Sequence, residues 1–235
     1  MIKTIYFDLD NTLYDYDTLD HAGLDILQKY CENSFDISAD EFYTCFRRAQ
    51  QLIRRRINHE EAALHNRLIR YQTMLELLEQ PIYPHARVMF DMYWDFFYEN
   101  MKPMQEVTEF LQGLKEAGFS IGIGTNMTAE VQYKKIECLE LFPYIDYLVT
   151  SEETGVEKPD LHFFEICLEK AGCLPSECIF VGDHPDKDVA GARECGMHGV
   201  LFEKYAKYEK KSHDIPSAAE FTQLSQLILE NNFQK

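Results

Sequence analysis

The chain has no Cys-x-x-Cys pair, no apolar run approaching the about 18 residues of a membrane span, and far less positive than negative charge. Its seven cysteines, at 31, 45, 138, 167, 173, 178 and 195, do not alternate with histidines at zinc-ligand spacing, so neither a zinc framework nor a disulfide scaffold is expected. They read as small core or surface residues of a reducing compartment. Lysine and arginine number 23 against 40 aspartates and glutamates, and the formal charge of -17 argues against a nucleic-acid polymer as partner. An anionic small molecule is also repelled at long range. It would need local positive charge from a metal, a lysine or helix N-termini. The first residues enter a strand with no secretory-type leader, and with no membrane segment a cytoplasmic location is expected. Nothing in the sequence speaks to oligomeric state.

What is present is the balance of an ordinary soluble globular protein: 46% hydrophobic and 27% charged residues over 235 positions, enough for one sizeable core with an appendage. Lys3 to Phe7 reads as a buried β-branched and aromatic strand that runs straight into Asp8-Leu9-Asp10-Asn11-Thr12. In extended backbone Asp8 and Asp10 leave on one face, about 6 to 7 Å apart. Two like charges at the mouth of a buried strand are costly unless a cation joins them, or unless one attacks while the other moves protons.

From Asp17 the hydrophobic period changes to about 3.6. Leu19, Leu24, Leu27 and Tyr30 predict a first helix, and Ser38-Ala39-Asp40-Glu41 has the form of a capping box for a second through Phe42, Phe46, Ala49 and Ile53. A third is predicted from Glu60 to Glu79, ended by Pro81 and Pro84, and a fourth through Val88, Met89, Tyr93 and Phe96 or Phe97. Beyond Pro103 short strands alternate with helices: strands at 120–125, 147–150, 178–182 and 198–202, helices at 105–117, from Thr128 or Ala129, at 160–171, 186–195 and 217–231. That alternation is the mark of an α/β fold, a parallel sheet with helices on both faces, into which the all-helical block is inserted. The inserted block holds an arginine run. Arg47, Arg54 and Arg55 could share a stripe that either faces solvent, pairs with Glu60 and Glu61, or leans into a cleft to hold an anionic or planar part of a ligand.

Three later segments fall at strand ends, where an α/β sheet presents ligands. Gly124-Thr125-Asn126 offers a hydroxyl and N–H groups suited to phosphate oxygens. Lys158 precedes Pro159 in a loop. Gly182-Asp183-His184-Pro185-Asp186-Lys187-Asp188 is a second strand emptying into acids, with Asp188 in the first turn of the following helix.

Together the four segments resemble the haloacid dehalogenase superfamily. Asp8-x-Asp10-x-Thr12 looks like its first motif, Thr125 its second, Lys158 with Pro159 its third and Gly182-Asp183 through Asp188 its fourth. The wording of 124–126 and 151–159 is similar to the nucleotidase-like and N-acylneuraminate-9-phosphatase-like branch. The resemblance implies a Rossmann-like catalytic core of residues 1–16 and 100–235 and an α-helical cap of residues 17–99. It further implies a magnesium-dependent phosphatase. Asp8 would attack phosphorus and Asp10 would serve as acid and then base. Mg2+ would be held by Asp8, the Asp10 carbonyl and Asp183, with Asp188 acting through water, and Thr125, Asn126 and Lys158 would bind phosphoryl oxygens. In such a family the cap sets substrate choice. Tyr14 and Tyr16 could stack on a leaving group or merely pack the hinge, Arg54 and Arg55 could reach the substrate, and His184 could face it from the core.

A small phosphorylated metabolite is therefore the expected partner, a nucleoside 5'-monophosphate first and a sugar or acylneuraminate phosphate as the alternative. A dehalogenase would need no metal and no Asp10 acid. A hexose-phosphate mutase shares the core and would return the phosphoryl group to a bound intermediate. A phosphate-binding protein without catalysis would be expected to lose one of Asp8, Asp10, Lys158 or Asp183, and a transport ATPase would need membrane segments.

Overall fold

The computed structural model describes residues 1–57, 59, 61–205 and 215–230. They divide into two compact units, Met1–Asp15 with Lys102–Lys235, and Tyr16–Met101.

The first unit is built on a six-stranded, all-parallel sheet. Its strands are β1 (Thr4–Phe7), β2 (Ser120–Thr125), β3 (Tyr147–Thr150), β4 (Cys178–Gly182), β5 (His198–Phe202) and β6 (Ser217–Ala218), in the order β3-β2-β1-β4-β5-β6. The chain thus builds outward from β1 on one side, then returns to build outward on the other, which places a topological switch between β1 and β4. Register fixes what meets there. Phe7 pairs with Val181 and with Ile123, so the residues after Phe7, Gly182 and Thr125 emerge together at the carboxyl edge.

Every residue of β1 is buried, as a strand covered on both faces requires. Tyr6 stacks on Phe180 and Tyr147 with ring centroids 6.3 Å away in each case, and its hydroxyl donates to the Cys167 carbonyl at 2.8 Å. Burial holds the phenol far above its ordinary pKa, so it stays a donor. Gly122 makes room for this ring, because a Cβ there would lie 2.3 Å from it. The helices between strands follow their apolar spacing. In α5 (Val107–Glu116), Val107, Phe110, Leu111 and Leu114 form the buried face.

The second unit packs α1 (Tyr16–Phe35), α2 (Ala39–Ile57), α3 (Arg67–Leu77) and α4 (His85–Asn100). Phe42, Phe46, Ala49 and Ile53 line the buried stripe of α2, and the Ser38 hydroxyl accepts the Glu41 N–H at 3.3 Å as the capping box predicts. A polar knot ties the unit together. Asp20 accepts from Arg67 Nη2 at 2.5 Å and from the Tyr93 hydroxyl at 2.7 Å, while the Arg67 guanidinium lies 3.8 Å over the Tyr93 ring. No helix of the described residues is long and apolar enough to cross a membrane.

The structure departs from the expected elements in three places. The helix predicted from Glu60 begins later. Ala62–His65 is a 3-10 turn, the Asn66 side chain accepts the Ile69 N–H, and α3 starts at Arg67; Glu60 lies outside the described residues. Asn66 is a strong cap in a segment whose apolar period runs through it. Ser217–Ala218, predicted as helix, pairs with β5, and the final helix α10 is Phe221–Leu229; Asn231 lies outside the described residues. The predicted helix 186–195 is present, but it opens as a π-helix, Pro185–Ala190, before α9 (Gly191–Glu194). Between β3 and β4 the helices are α7 (Ser151–Thr154) and α8 (Leu161–Ala171), and α6 (Ala129–Cys138) follows β2.

Candidate active site

Asp8 is the first residue beyond β1, and its backbone N–H still donates to Val181 of β4 at 2.8 Å. The strand therefore delivers a buried carboxylate to the switch point. Asn11, at φ +61°, turns the chain away immediately afterwards in the left-handed conformation that asparagine tolerates. From β4, Gly182 leads to Asp183, and the turn that follows carries Asp188 back beneath it. Gly182 is required there: a Cβ would lie 2.3 Å from the Asp188 carboxyl.

Lys158 reaches these acids from the loop before α8. Its Nζ lies 2.7 Å from Asp8, 2.7 Å from Asp188 and 2.9 Å from the Gly124 carbonyl, and the whole set is buried. Burial would lower the Lys158 pKa, but Asp188 and Asp8 outweigh it and keep the ammonium charged. Burial also dominates at Asp8. It pushes the carboxyl up to about 7, with Lys158 opposing and Asp188 and Asp10 adding to the rise.

Ligand oxygens of Asp8, Asp183 and Asp188 lie within 4.8 Å of one another. Three carboxylates against one ammonium leave a surplus of negative charge in a buried place. Hard oxygen donors so arranged suit a divalent cation of the magnesium type.

Asn126 locks the lysine loop. Its Oδ1 accepts the Lys158 N–H at 2.9 Å and its Nδ2 donates to the Lys158 carbonyl at 3.2 Å. The buried Thr125 hydroxyl accepts from Gln132 Nε2 at 2.6 Å. His184, expected as a possible substrate contact, makes bonds within its own turn. Its ring nitrogen accepts the N–H groups of Asp186 and Lys187, its backbone N–H donates to Asp188 at 2.9 Å, and burial lowers its pKa.

Asp10 stands apart from the three-carboxylate cluster. The Tyr14 hydroxyl donates to it at 2.5 Å, and Lys135 Nζ lies 2.8 and 3.0 Å from its two oxygens. Tyr14, weighed between stacking on a leaving group and packing, is fully buried and bonded to this acid. Neither Lys135 nor Gln132 was anticipated. The signal was their place on α6, where 132, 135, 136 and 139 share one face; Lys134-Lys135 otherwise reads as a solvated pair.

The remaining candidates belong to the helical unit. The Tyr16 hydroxyl accepts from Arg67 at 2.6 Å, Arg54 lines a pocket with Arg47 and Arg70, and Arg55 is exposed near the end of α2.

The arrangement has relatives. The family model of haloacid dehalogenase-like hydrolases matches residues 2–196. A ribulose-1,5-bisphosphate 5-phosphatase of Halopiger xanaduensis is 33% identical over 95% of this chain and 99% of its own. A glyceraldehyde 3-phosphate phosphatase of Methanopyrus kandleri is 31% identical over 91% and 90%. Among solved structures, the HAD-hydrolase YfnB of Bacillus subtilis, bound to magnesium, matches with a TM-score of 0.72 at 19% identity, covering 97% of this chain and 98% of that one. The chain belongs to the haloacid dehalogenase-like hydrolases, as the motifs of its first strand and of its 158–188 segment led one to expect.

Proposed function

We propose that the protein is a magnesium-dependent phosphomonoester hydrolase acting on a small phosphorylated sugar. The observation that carries the reading is the Asp8–Lys158–Asp188 chain with Asp183 beside it, set at the switch point of the sheet. The nucleoside monophosphate expected first gains nothing from the relatives named above. The sugar-phosphate alternative is supported by two that carry phosphorylated sugars in their names, at 33% and 31% identity over nearly the full chain.

An Asp8 oxygen bonds to phosphorus as the P–O bond to the sugar breaks, and the departing alkoxide takes a proton from Asp10. Asp10 then removes a proton from water as the water oxygen attacks the aspartyl-phosphate, releasing phosphate and restoring the Asp8 carboxylate. Lys158 holds Asp8 in line and places a positive charge beside the transferring group. Lys135 and Tyr14 hold the Asp10 carboxyl in one orientation. Asp8, Asp183 and Asp188 would hold magnesium, whose charge, when bound, stabilises the phosphoryl oxygens. Thr125 and the Asn126 N–H, at the end of β2, would meet those oxygens.

Phosphate release should be measured over a panel of triose, pentose and hexose phosphates and nucleotides, with magnesium or with chelator, beside Asp8→Asn. Magnesium-dependent turnover of a sugar phosphate, abolished by Asp8→Asn, is expected. No turnover by folded, magnesium-loaded protein overturns the reading, and a nucleotide ranking first overturns the substrate class.

A further inference from the structure

Helix α6 turns two polar side chains into the interior of the first unit, Gln132 and Lys135, three positions apart and each fully buried. Glutamine is mostly an exposed residue, and an apolar side chain would fill the same room without burying an amide. Lys135 is matched by the Asp10 carboxylate. Gln132 is matched on one side of its amide alone. Its Nε2 donates to the Thr125 hydroxyl at 2.6 Å, while its buried Oε1 has no partner among the described residues.

The direction of that one bond decides what Thr125 can do. Thr125 is 1% exposed and ends β2 at the carboxyl edge of the sheet, next to Gly124, whose carbonyl accepts Lys158 Nζ at 2.9 Å. Turned over, the amide would set Oε1 against Thr125, and the hydroxyl would spend its proton on it. With Nε2 facing Thr125, the amide occupies a lone pair of the threonine oxygen instead. No acceptor among the described residues then meets the hydroxyl proton. A hydroxyl that already accepts one hydrogen bond is also a stronger donor in the next.

We propose that Gln132 is a positioning residue: by donating to the Thr125 oxygen it keeps the threonine proton directed at a phosphoryl oxygen, so that Thr125 meets the anion as a donor. The orphaned Oε1 is the cost of that orientation, and a donor fixed before the anion arrives needs no reorganisation during reaction. Gln132 itself touches no reacting atom. One face of α6 thus sets the phosphoryl donor through Gln132 and the acid through Lys135. The inference rests on the phosphoryl group lying where the reaction above places it.

The test compares wild type, Gln132→Met, Thr125→Val and the double variant as full chains with magnesium, circular dichroism confirming each fold. Gln132→Met is expected to lower kcat/KM for the sugar phosphate turned over about tenfold. In the Thr125→Val background, where there is no hydroxyl to direct, the same change is expected to cost less than about twofold. A residue that only packed would cost the same in both backgrounds, and that result overturns the inference. Calorimetry with inorganic phosphate needs no turnover: its Kd is expected to rise about tenfold in Gln132→Met, and no further in the double variant than in Thr125→Val. An unchanged Kd in folded Gln132→Met also overturns it. A measurement on wild type covers a Gln132→Met that does not fold. Saturating phosphate is expected to shift the Gln132 side-chain amide resonances, because a donating Thr125 takes a stronger bond from Nε2. Unmoved resonances with phosphate bound, or a wild type that binds no phosphate, overturn the inference. Phosphate bound with no substrate turned over would remove the proposed reaction and leave Gln132 to be judged by binding; turnover with unmoved resonances would remove Gln132 and leave the reaction.

Discussion

Lys135 Nζ lies 2.8 and 3.0 Å from the two carboxylate oxygens of Asp10, a residue 125 positions earlier, and the lysine side chain is wholly buried. A buried ammonium needs its counter-ion, and here the counter-ion is the acid proposed for proton transfer. Lys135→Met should lower kcat about 10- to 100-fold, because Asp10 loses the cation that orients it. Since Asp10 keeps partial contact with solvent, the stability loss should be about 1–3 kcal/mol, less than for a fully buried pair. Steady-state kinetics and urea unfolding report the two effects. A kcat within about twofold of wild type would show that Asp10 is positioned without the lysine.

Gly182 and Asp188 make a second dependence between neighbours. The carboxyl of Asp188 occupies the space that a Cβ at 182 would need, at 2.3 Å, so Gly182→Ala must move it. The same carboxyl takes Lys158 at 2.7 Å and the His184 N–H at 2.9 Å. Gly182→Ala should therefore weaken magnesium binding about tenfold or more, with a stability loss of about 1–3 kcal/mol from overpacking. Magnesium titration by calorimetry checks this. Unaltered affinity in a folded variant would place Asp188 outside the metal's influence.

The principal strands were legible because each depends on local sequence, whereas the four acids and Lys158 were singled out only by four distant segments read together. A buried run ending in Asp8-x-Asp10, and another ending in Gly182-Asp183, need no partner to be recognised. Lys135 was not legible in that way. Its burial depends on α6 turning that face inward against Asp10, which is a tertiary fact. Ser217–Ala218 was missed for a related reason: two residues carry no period, and only pairing with Leu201 and Phe202 makes them a strand. At Asn66 a local signal did exist, a side chain able to cap a helix, but the apolar spacing of Leu64 and Leu68 spoke over it. The polar knot of Arg67 and Asp20 was invisible, because an arginine among eight in a helical block reads as solvated until tertiary packing buries it.

Asp8 carries a cost of function that pH should reveal. Burial raises its carboxyl to about 7, above the roughly 3.9 of an unfolded aspartate. Between those values the unfolded chain gives up the proton while the folded one keeps it, so stability falls as pH rises from about 4 to about 7. In chelator, Asp8→Asn should be more stable than wild type at pH 8 by about 1–3 kcal/mol, and the gap should close towards pH 4. Added magnesium should raise the wild-type midpoint at pH 8 and do so less for Asp183→Asn. Denaturant unfolding at pH 4, 6 and 8 measures all of this, and a gap independent of pH would remove Asp8 as its source.

Asp20 titrates in the opposite sense and marks the helical unit. Burial alone would raise its pKa, but the Arg67 charge, with hydrogen bonds from Tyr93 and Arg67, outweighs burial and holds it below the ordinary carboxylate value. The stability it supplies is complete above the unfolded value of about 3.9 and is lost as pH falls through the lowered folded value. Asp20→Asn should cost about 2–4 kcal/mol at pH 7, because Arg67 would be left enclosed with no carboxylate. The difference from wild type should stay constant from pH 7 to pH 5 and shrink only below about pH 4. Hydrogen exchange at amides of α1, α3 and α4, compared with those of β1 and β4, would locate the loss. If the protection lost at pH 7 were spread evenly over both units, Asp20 would be acting on the whole fold. If Asp20→Asn changed neither set, the Arg67 ion pair would carry no stability.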